Sequence, residues 1–173
     1  LQAGRVDVGF LGAAQVDRYG NLNSTVIGPY DAPKTRLPGA GGATEIAAHA
    51  RQTFVMLKAT PRSLVAQLDF RTSGGFLEGN GARARTSMHG TGPQSVITDF
   101  GMLKPQPVSD ELQLSALFDG TTVDEACAAT GWPLKVAATV ETIAPPTTVE
   151  LETLRALHAR TREAHRRPVR LPA

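Results

Sequence analysis

Residues 39–58 read GAGGATEIAAHARQTFVMLK. Three glycines in four positions open the stretch. Ala43 to Ala50 (ATEIAAHA) is rich in helix formers, and Thr44 offers a hydroxyl to cap the helix. Gln52 to Lys58 (QTFVMLK) carries the β-branched and aromatic residues that suit a strand. Upstream, Val6 to Ala13 (VDVGFLGA) is apolar, short and bounded by glycine, which predicts a buried strand, plausibly a parallel one. Strand, glycine loop, helix and strand in that order predict an α/β layered domain.

The rest of the chain fits this frame. Tyr19-Gly20-Asn21 is a turn signal, and Leu22 to Ile27 reads as a short strand. Pro29 to Pro38 reads as loop, with Lys34 and Arg36 on it. Pro61 opens an expected short helix through Leu68. Thr72 to Pro93 is a long loop carrying six glycines, a length that marks function or mobility. Ser95 to Phe100 and Glu111 to Phe118 read as a strand pair connected by Lys104 to Asp110. Thr122 and Glu125 form a capping box for a helix over Val123 to Thr130, ended by Gly131. Leu134 to Val140 is the last expected strand. Pro145-Pro146 then breaks the chain before an amphipathic helix over Thr148 to His165.

Composition narrows the function classes. The chain has 173 residues, with 41% apolar and 20% charged residues and a net charge of +2. That is enough apolar material for a core, and too little basic excess for a nucleic-acid surface. With 5% aromatics, a base-stacking platform for single strands is not expected. The single cysteine, Cys127, excludes a disulfide framework within the chain and a Cys-rich zinc site. No apolar run reaches the ~20 residues of a membrane helix. Leu1-Gln2-Ala3-Gly4 resembles a helix end with its glycine cap, which predicts further chain ahead of Leu1.

Several groups could carry chemistry. In Gly39-Ala40-Gly41-Gly42, the missing Cβ atoms let backbone N–H groups converge on a phosphate or on the oxyanion of a tetrahedral acyl intermediate. A tight turn entering a helix is the plain alternative. A P-loop is excluded, because no Gly-Lys-Ser/Thr follows. Gln15 to Thr25 (QVDRYGNLNST) gathers amides, hydroxyls and a carboxylate after a strand, and Asn21 and Asn23 share one side of an extended stretch. Here the alternative is a turn that uses Asn and Gly for left-handed backbone. The histidines at 49, 89, 158 and 165 show no metal-ligand spacing. His49 lies one turn after Glu45, and His89 sits in the long glycine loop. No Gly-x-Ser-x-Gly elbow is present. Glu78, with Gly79 and Gly81 after it, is the accessible carboxylate, and a surface turn is its plain reading.

Taken together, Gln15 to Thr25 and Gly39 to Ala47 (GAGGATEIA) resemble the family I coenzyme A transferases. The similarity is greatest to the B, or β, subunit of the glutaconate and 3-oxoacid type. Val96-Ile97-Thr98-Asp99-Phe100-Gly101, Gly120 to Glu125 (GTTVDE) and Ala129-Thr130-Gly131 agree, so the resemblance runs from Val6 to Pro146. It implies a mostly parallel sheet flanked by helices, lacking its N-terminal portion here. It divides the chain into a transferase-like domain over 1–146, a helix over 147–166 and a tail over 167–173. It further implies an A-subunit partner, in a heterodimer or heterotetramer, and a cytoplasmic enzyme with no nucleic-acid or membrane partner. The substrates that it implies are acyl-CoA and a carboxylic acid, with coenzyme A as co-substrate and no permanently bound cofactor or metal.

The implied reaction is ping-pong. A glutamate carboxylate attacks the acyl-CoA, an acyl-glutamyl anhydride forms, and the CoA thiolate returns to give a glutamyl-CoA thioester that the acceptor acid resolves. The family places that glutamate ahead of the first strand, so the role is not assigned to Glu78. Gly41 and Gly42 are the expected oxyanion donors, and Gln15, Asn23 and Gly39 the expected contacts to substrate or CoA. Two features depart from the pattern or broaden it. Thr44-Glu45 stands where relatives often have Asn-Asp or Met-Asp. Ring-opening CoA-thioester hydrolases share the Tyr-Gly-Asn-x-Asn motif, although their glycine loop differs more. A hydrolase, and a non-catalytic ligand-binding or structural subunit, are therefore the alternatives.

Overall fold

A computed structural model of the chain describes residues 1–166. They fall into two compact units, Leu1–Ile143 and the segment from Ala144 onward. The expected tail over 167–173 lies outside the described residues.

In the first unit β1 (Val8–Leu11) is followed by a two-residue antiparallel ladder of β2 (Gln15–Val16) and β3 (Leu22–Asn23). A second small hairpin joins β4 (Val26–Ile27) to β5 (Thr35–Arg36). Helix α1 (Ala43–His49) then leads to β6 (Gln52–Met56), which lies parallel to β1, so the opening stretch is a β-α-β crossover as expected. After the long glycine loop come β7 (Pro93–Ile97), β8 (Gly101–Pro105), β9 (Leu112–Phe118), α2 (Val123–Ala128) and β10 (Lys135–Ile143). The main sheet has six strands in the order β1-β6-β7-β8-β9-β10. Three of its pairings are parallel, β1 with β6, β6 with β7 and β9 with β10, and β8 runs against both neighbours. It is a mostly parallel α/β sheet.

One side of that sheet carries the core. Leu11, Val55, Val96, Leu103, Leu112 and Leu114 cluster there with Val16 and Leu22 of the first hairpin, Ala47 of α1, Leu64, Ala126 of α2 and Trp132. Among the described residues the other side is exposed at β1 and β6. Val8 and Phe10 of β1 and Met56 of β6 are exposed, and the Phe10 and Phe54 rings stack there at 5.7 Å. The buried strand expected over Val6 to Ala13 is therefore, among the described residues, an edge strand buried on one face.

Other expectations change for local reasons. Thr44 does not cap α1. Gly42 occupies the N-cap without a side-chain bond, and the Thr44 hydroxyl donates to the Thr72 carbonyl instead. Residues 61–68 form no helix. Thr60 and Ser63 exchange hydroxyl and backbone bonds that hold a turn, and Leu64 and Val65 then bridge to Val16 and Gly131. The strands expected over Ser95 to Phe100 and Glu111 to Phe118 are not neighbours, because β8 lies between them and takes the first residues of the expected connection. Leu22 to Ile27 is broken into two strands, and the loop over 29–38 contains β5. The Thr122–Glu125 capping box is present, with Glu125 N–H donating to the Thr122 hydroxyl at 3.2 Å and Thr122 N–H to the Glu125 carboxylate at 2.8 Å.

In the second unit, α3 (Thr148–Arg166) is a single helix with no buried residue. Thr147 and Glu150 cap its start reciprocally, as Thr122 and Glu125 do for α2.

Candidate functional site

The glycine turn sits where the crossover enters α1. Gly39 (φ +93°) and Gly41 (φ +49°) occupy left-handed backbone that side chains disfavour. A Cβ on Gly39, Gly41 or Gly42 would meet nothing within 4 Å, so the space above the turn is open. Gly41 and Gly42 are exposed. Among the described residues, neither their N–H groups nor any side chain closes the turn from above, whereas Ala43 N–H already donates to the Ala40 carbonyl. The Gly41 and Gly42 N–H groups thus have no hydrogen-bond partner among the described residues, beside the first turn of a helix.

The second motif lies directly alongside. Gly39 N–H donates to the Ser24 carbonyl at 2.8 Å, and the Ser24 hydroxyl donates to the Gly39 carbonyl at 2.9 Å. Ser24 N–H reaches the Thr72 hydroxyl at 2.9 Å, and that hydroxyl also meets Thr25 at 2.7 Å. The two motifs that stood 15 residues apart in sequence are therefore joined, with Thr72 as the third member.

The amides of this region are saturated from within the chain. Asn23 is fully buried. Its Nδ2 donates to Gln15 Oε1 and the Val26 carbonyl, both at 2.7 Å, and its Oδ1 accepts from Thr25 and Val26 N–H. Gln15 passes the chain on, donating through Nε2 to Asp69 at 3.0 Å while Oε1 accepts Asp69 N–H. Asn21 is equally buried, giving Nδ2 to Asp17 and the Leu77 carbonyl and accepting N–H bonds from Gly75 and Leu77. Gly75 passes so close that a Cβ there would collide with the backbone carbonyls of Tyr19 and Gly20. Replacing Asn21 or Asn23 by alanine removes four bonds and leaves buried partners bare. Each is expected to cost about 1–3 kcal/mol of stability, read by chemical denaturation; an unchanged midpoint for both variants would show that these bonds are dispensable.

A cavity of about 660 Å³ opens beside this frame, lined among others by Asp17, Arg18, Tyr19, Asp69, Arg71 and Glu78. Burial pushes the Asp17 carboxyl above its ordinary value, against the pull of the Asn21 amide and the Asn21 and Tyr19 N–H groups. Glu78 is held below its ordinary value by the hydrogen bond from Arg71, with which it forms an ion pair at 2.8 Å. That pairing makes Glu78 a neutralised surface carboxylate. Glu45 and His49 pair at 3.7 Å along α1, and the His49 and His89 rings meet edge-on at 5.2 Å. Among the described residues no group of three or more His, Cys, Asp or Glu is placed to hold a metal ion. No helix among them is long and apolar enough to cross a membrane.

Sequence reasoning missed Arg83. Its guanidinium is buried, and burial lowers its pKa. It donates to five backbone carbonyls: Gly90 (2.8 Å), Gly74 (3.2 Å), Gly75 (2.9 Å), Ala47 (2.7 Å) and Ala48 (3.2 Å). It therefore fastens the glycine loop to the last turn of α1. No local signal marks it, since its acceptors are backbone atoms as far as 36 residues away.

A family model described as coenzyme A transferase matches residues 1–129. The B subunit of the 3-oxoadipate CoA-transferase of Pseudomonas knackmussii is 50% identical over 165 residues, 95% of this chain and 64% of that protein. The B subunit of the glutaconate CoA-transferase of Acidaminococcus fermentans is 39% identical over 146 residues, 83% of this chain and 54% of that protein. The crystal structure of glutaconate coenzyme A-transferase from the same organism superposes with a TM-score of 0.80 at 36% identity, covering 86% of this chain and 56% of that one. The decarboxylase AibA/AibB superposes with a TM-score of 0.74 at 25% identity, covering 90% and 58%. The chain thus spans less than two thirds of the length of the relatives it matches.

Proposed function

The chain belongs to the coenzyme A transferase family, and from that premise we propose that it serves as the B subunit of a two-subunit, cytoplasmic acyl-CoA:carboxylate CoA-transferase. The observation that carries this reading is the 50% identity, over 95% of the chain, to the B subunit of a 3-oxoadipate CoA-transferase. The more distant likeness to a decarboxylase warns that the scaffold alone does not fix the reaction. Two relatives are named for dicarboxylic acids, so the proposed acyl group and acceptor are of that class.

The reaction runs through a glutamyl-CoA thioester. A glutamate carboxylate oxygen adds to the thioester carbonyl, CoA leaves as thiolate, and an acyl-glutamyl anhydride remains. The thiolate then attacks the glutamyl carbonyl and expels the acyl carboxylate. The acceptor carboxylate repeats these steps in reverse and leaves as the new acyl-CoA. The glutamate, as the resemblance implies, would lie ahead of β1. Gly41 and Gly42 supply N–H donors to each tetrahedral oxyanion, a role supported by their exposure and the open space above them. Gly39, Gln15 and Asn23 form the acyl-CoA wall, the two amides by holding its shape rather than with free atoms.

The test is an exchange assay on the full-length subunit with its A partner, with which it is expected to co-purify through an interface above ~1,000 Å². Acyl-CoA and a dicarboxylic acid should yield the new CoA ester only when both are present. Borohydride added with acyl-CoA alone should inactivate the enzyme by reducing the protein thioester. Release of CoA without any acceptor would instead identify a hydrolase, and binding without turnover a non-catalytic subunit.

A further inference from the structure

The β4–β5 hairpin carries a side-chain arrangement that acyl transfer does not use. At its tip the Tyr30 ring stacks on Phe70, with centroids 5.4 Å apart and planes 26° from parallel. The Arg36 guanidinium lies over the Tyr30 ring at 4.6 Å from its centroid, and donates to the Tyr30 carbonyl at 2.7 Å. Phe70, Tyr30 and Arg36 therefore form a pile of flat groups. The pile is not a buried structural contact, since Tyr30 is 53% exposed and Arg36 and Lys34 are exposed as well.

Among the described residues several cations of this unit stand without an ion pair, Arg5, Lys58, Arg62 and Lys104 included, and Lys34 and Arg36 are those that the hairpin holds beside the ring stack. Arg18, Arg51, Arg71 and Lys135 each have a carboxylate within ion-pair distance. Among the described residues Lys34 and Arg36 form no ion pair, although Asp31 lies on the same tip. Two uncompensated cations beside an ordered stack offer what a nucleotide needs: a flat surface for the base, and N–H donors for phosphate oxygens.

The hairpin also stands in the right place. Its rungs run from the glycine turn outward, Gly39 N–H to Ser24, Leu37 N–H to Thr25 and Lys34 N–H to Ile27, at 2.8 to 3.0 Å. The tip is thus fixed relative to the turn. Three residues of extended chain, roughly 10 Å, separate Arg36 from Gly39. A cavity of about 390 Å³ beside the hairpin loop is lined by Gly28, Pro29, Gln67, Leu68 and Asp69. A thioester carbonyl held at the glycine turn would leave its pantetheine arm free to run along the hairpin to this tip.

We propose that the tip of the β4–β5 hairpin binds the 3′-phosphorylated adenosine diphosphate end of coenzyme A, with the base on the Tyr30–Arg36 stack and the phosphates at Lys34 and Arg36. This rests on the acyl-CoA reading above, and the test separates the two. The full-length enzyme with its A partner is assayed with one acyl group carried either on CoA or on N-acetylcysteamine, which has the thioester but no nucleotide. Tyr30→Ala and the Lys34→Gln/Arg36→Gln double variant are compared with the unaltered enzyme, and Tyr30→Phe serves as the conservative control. The ratio of kcat/KM for the CoA ester over the short ester is expected to fall roughly tenfold or more, mainly through KM. The dependence of that KM on salt should weaken in the double variant, and Tyr30→Phe should restore the ratio. Equal losses on both esters, or no loss on either, would overturn the proposal. If the unaltered enzyme exchanges the thiol group of neither ester onto an acceptor acid, the transferase reading itself fails and takes this one with it.

Discussion

Arg83→Met is expected to lower the unfolding free energy by about 3–5 kcal/mol. Among the described residues the guanidinium is buried with no ion pair, held by backbone dipoles from Ala47, Ala48, Gly74, Gly75 and Gly90 and by the Met88 sulfur. Methionine fills much of the volume but takes the guanidinium donors from those carbonyls, of which Ala48 keeps the Gly90 N–H, and an unsatisfied buried acceptor costs about 1–3 kcal/mol. For a chain of this size the melting temperature should drop by roughly 10 °C. Arg83→Lys keeps the charge but not the planar fork, so it should recover only part of the loss. Denaturant titration of the three proteins measures this. A methionine variant within about 1 kcal/mol of the parent would mean that the loop is held by other contacts.

The second large effect is catalytic. Gly42→Pro in the complete enzyme should lower kcat by ~10²–10³, the usual consequence of losing one oxyanion donor. Proline removes the N–H that is proposed to face the oxyanion. Gly42 has φ −90°, roughly 10° beyond the range that the proline ring favours, and precedes the first helical residue. Gly42→Ala is the control: its Cβ enters open space and its N–H survives, so its kcat should stay close to that of the parent. Steady-state kinetics and melting curves on both variants decide the matter. Proline and alanine variants with the same kcat would remove the N–H from the mechanism.

What could be read from the sequence was what depends on neighbours along the chain. The Thr122–Glu125 box spans three residues, and both partners are visible in the amino-acid order. The β1-α1-β6 crossover shows itself because Ala43 to His49 and Gln52 to Met56 have opposite local preferences. The glycine turn is visible for the same reason. The helix expected over 61–68 fails because Leu64 and Val65 are claimed by Val16 and Gly131, partners far away in sequence. β8 was hidden because Gly101 to Pro105 is short and flanked by turn residues, and only its two antiparallel neighbours make it a strand. At the site, Asn21 and Asn23 were readable as a pair, but their partners were not. Asp69 is 54 residues from Gln15, and no spacing rule connects them. Arg83 looked like one more charge in a glycine-rich loop, since nothing in an Arg-Ala-Arg stretch reports which arginine turns inward.

The uncovered side of the main sheet has a bearing on how this polypeptide behaves in a tube. Phe10 is 64% exposed and Met56 51% exposed, and among the described residues β1 is hydrogen-bonded along one edge only. Apolar rings beside a free ladder edge are adhesive, both to a second sheet face and to another strand. Such adhesion strengthens with warmth, because burying apolar surface becomes less favourable on cooling. A preparation of residues 1–173 alone should therefore stay clearer when cold and dilute, and turn cloudy on warming well before its core gives way.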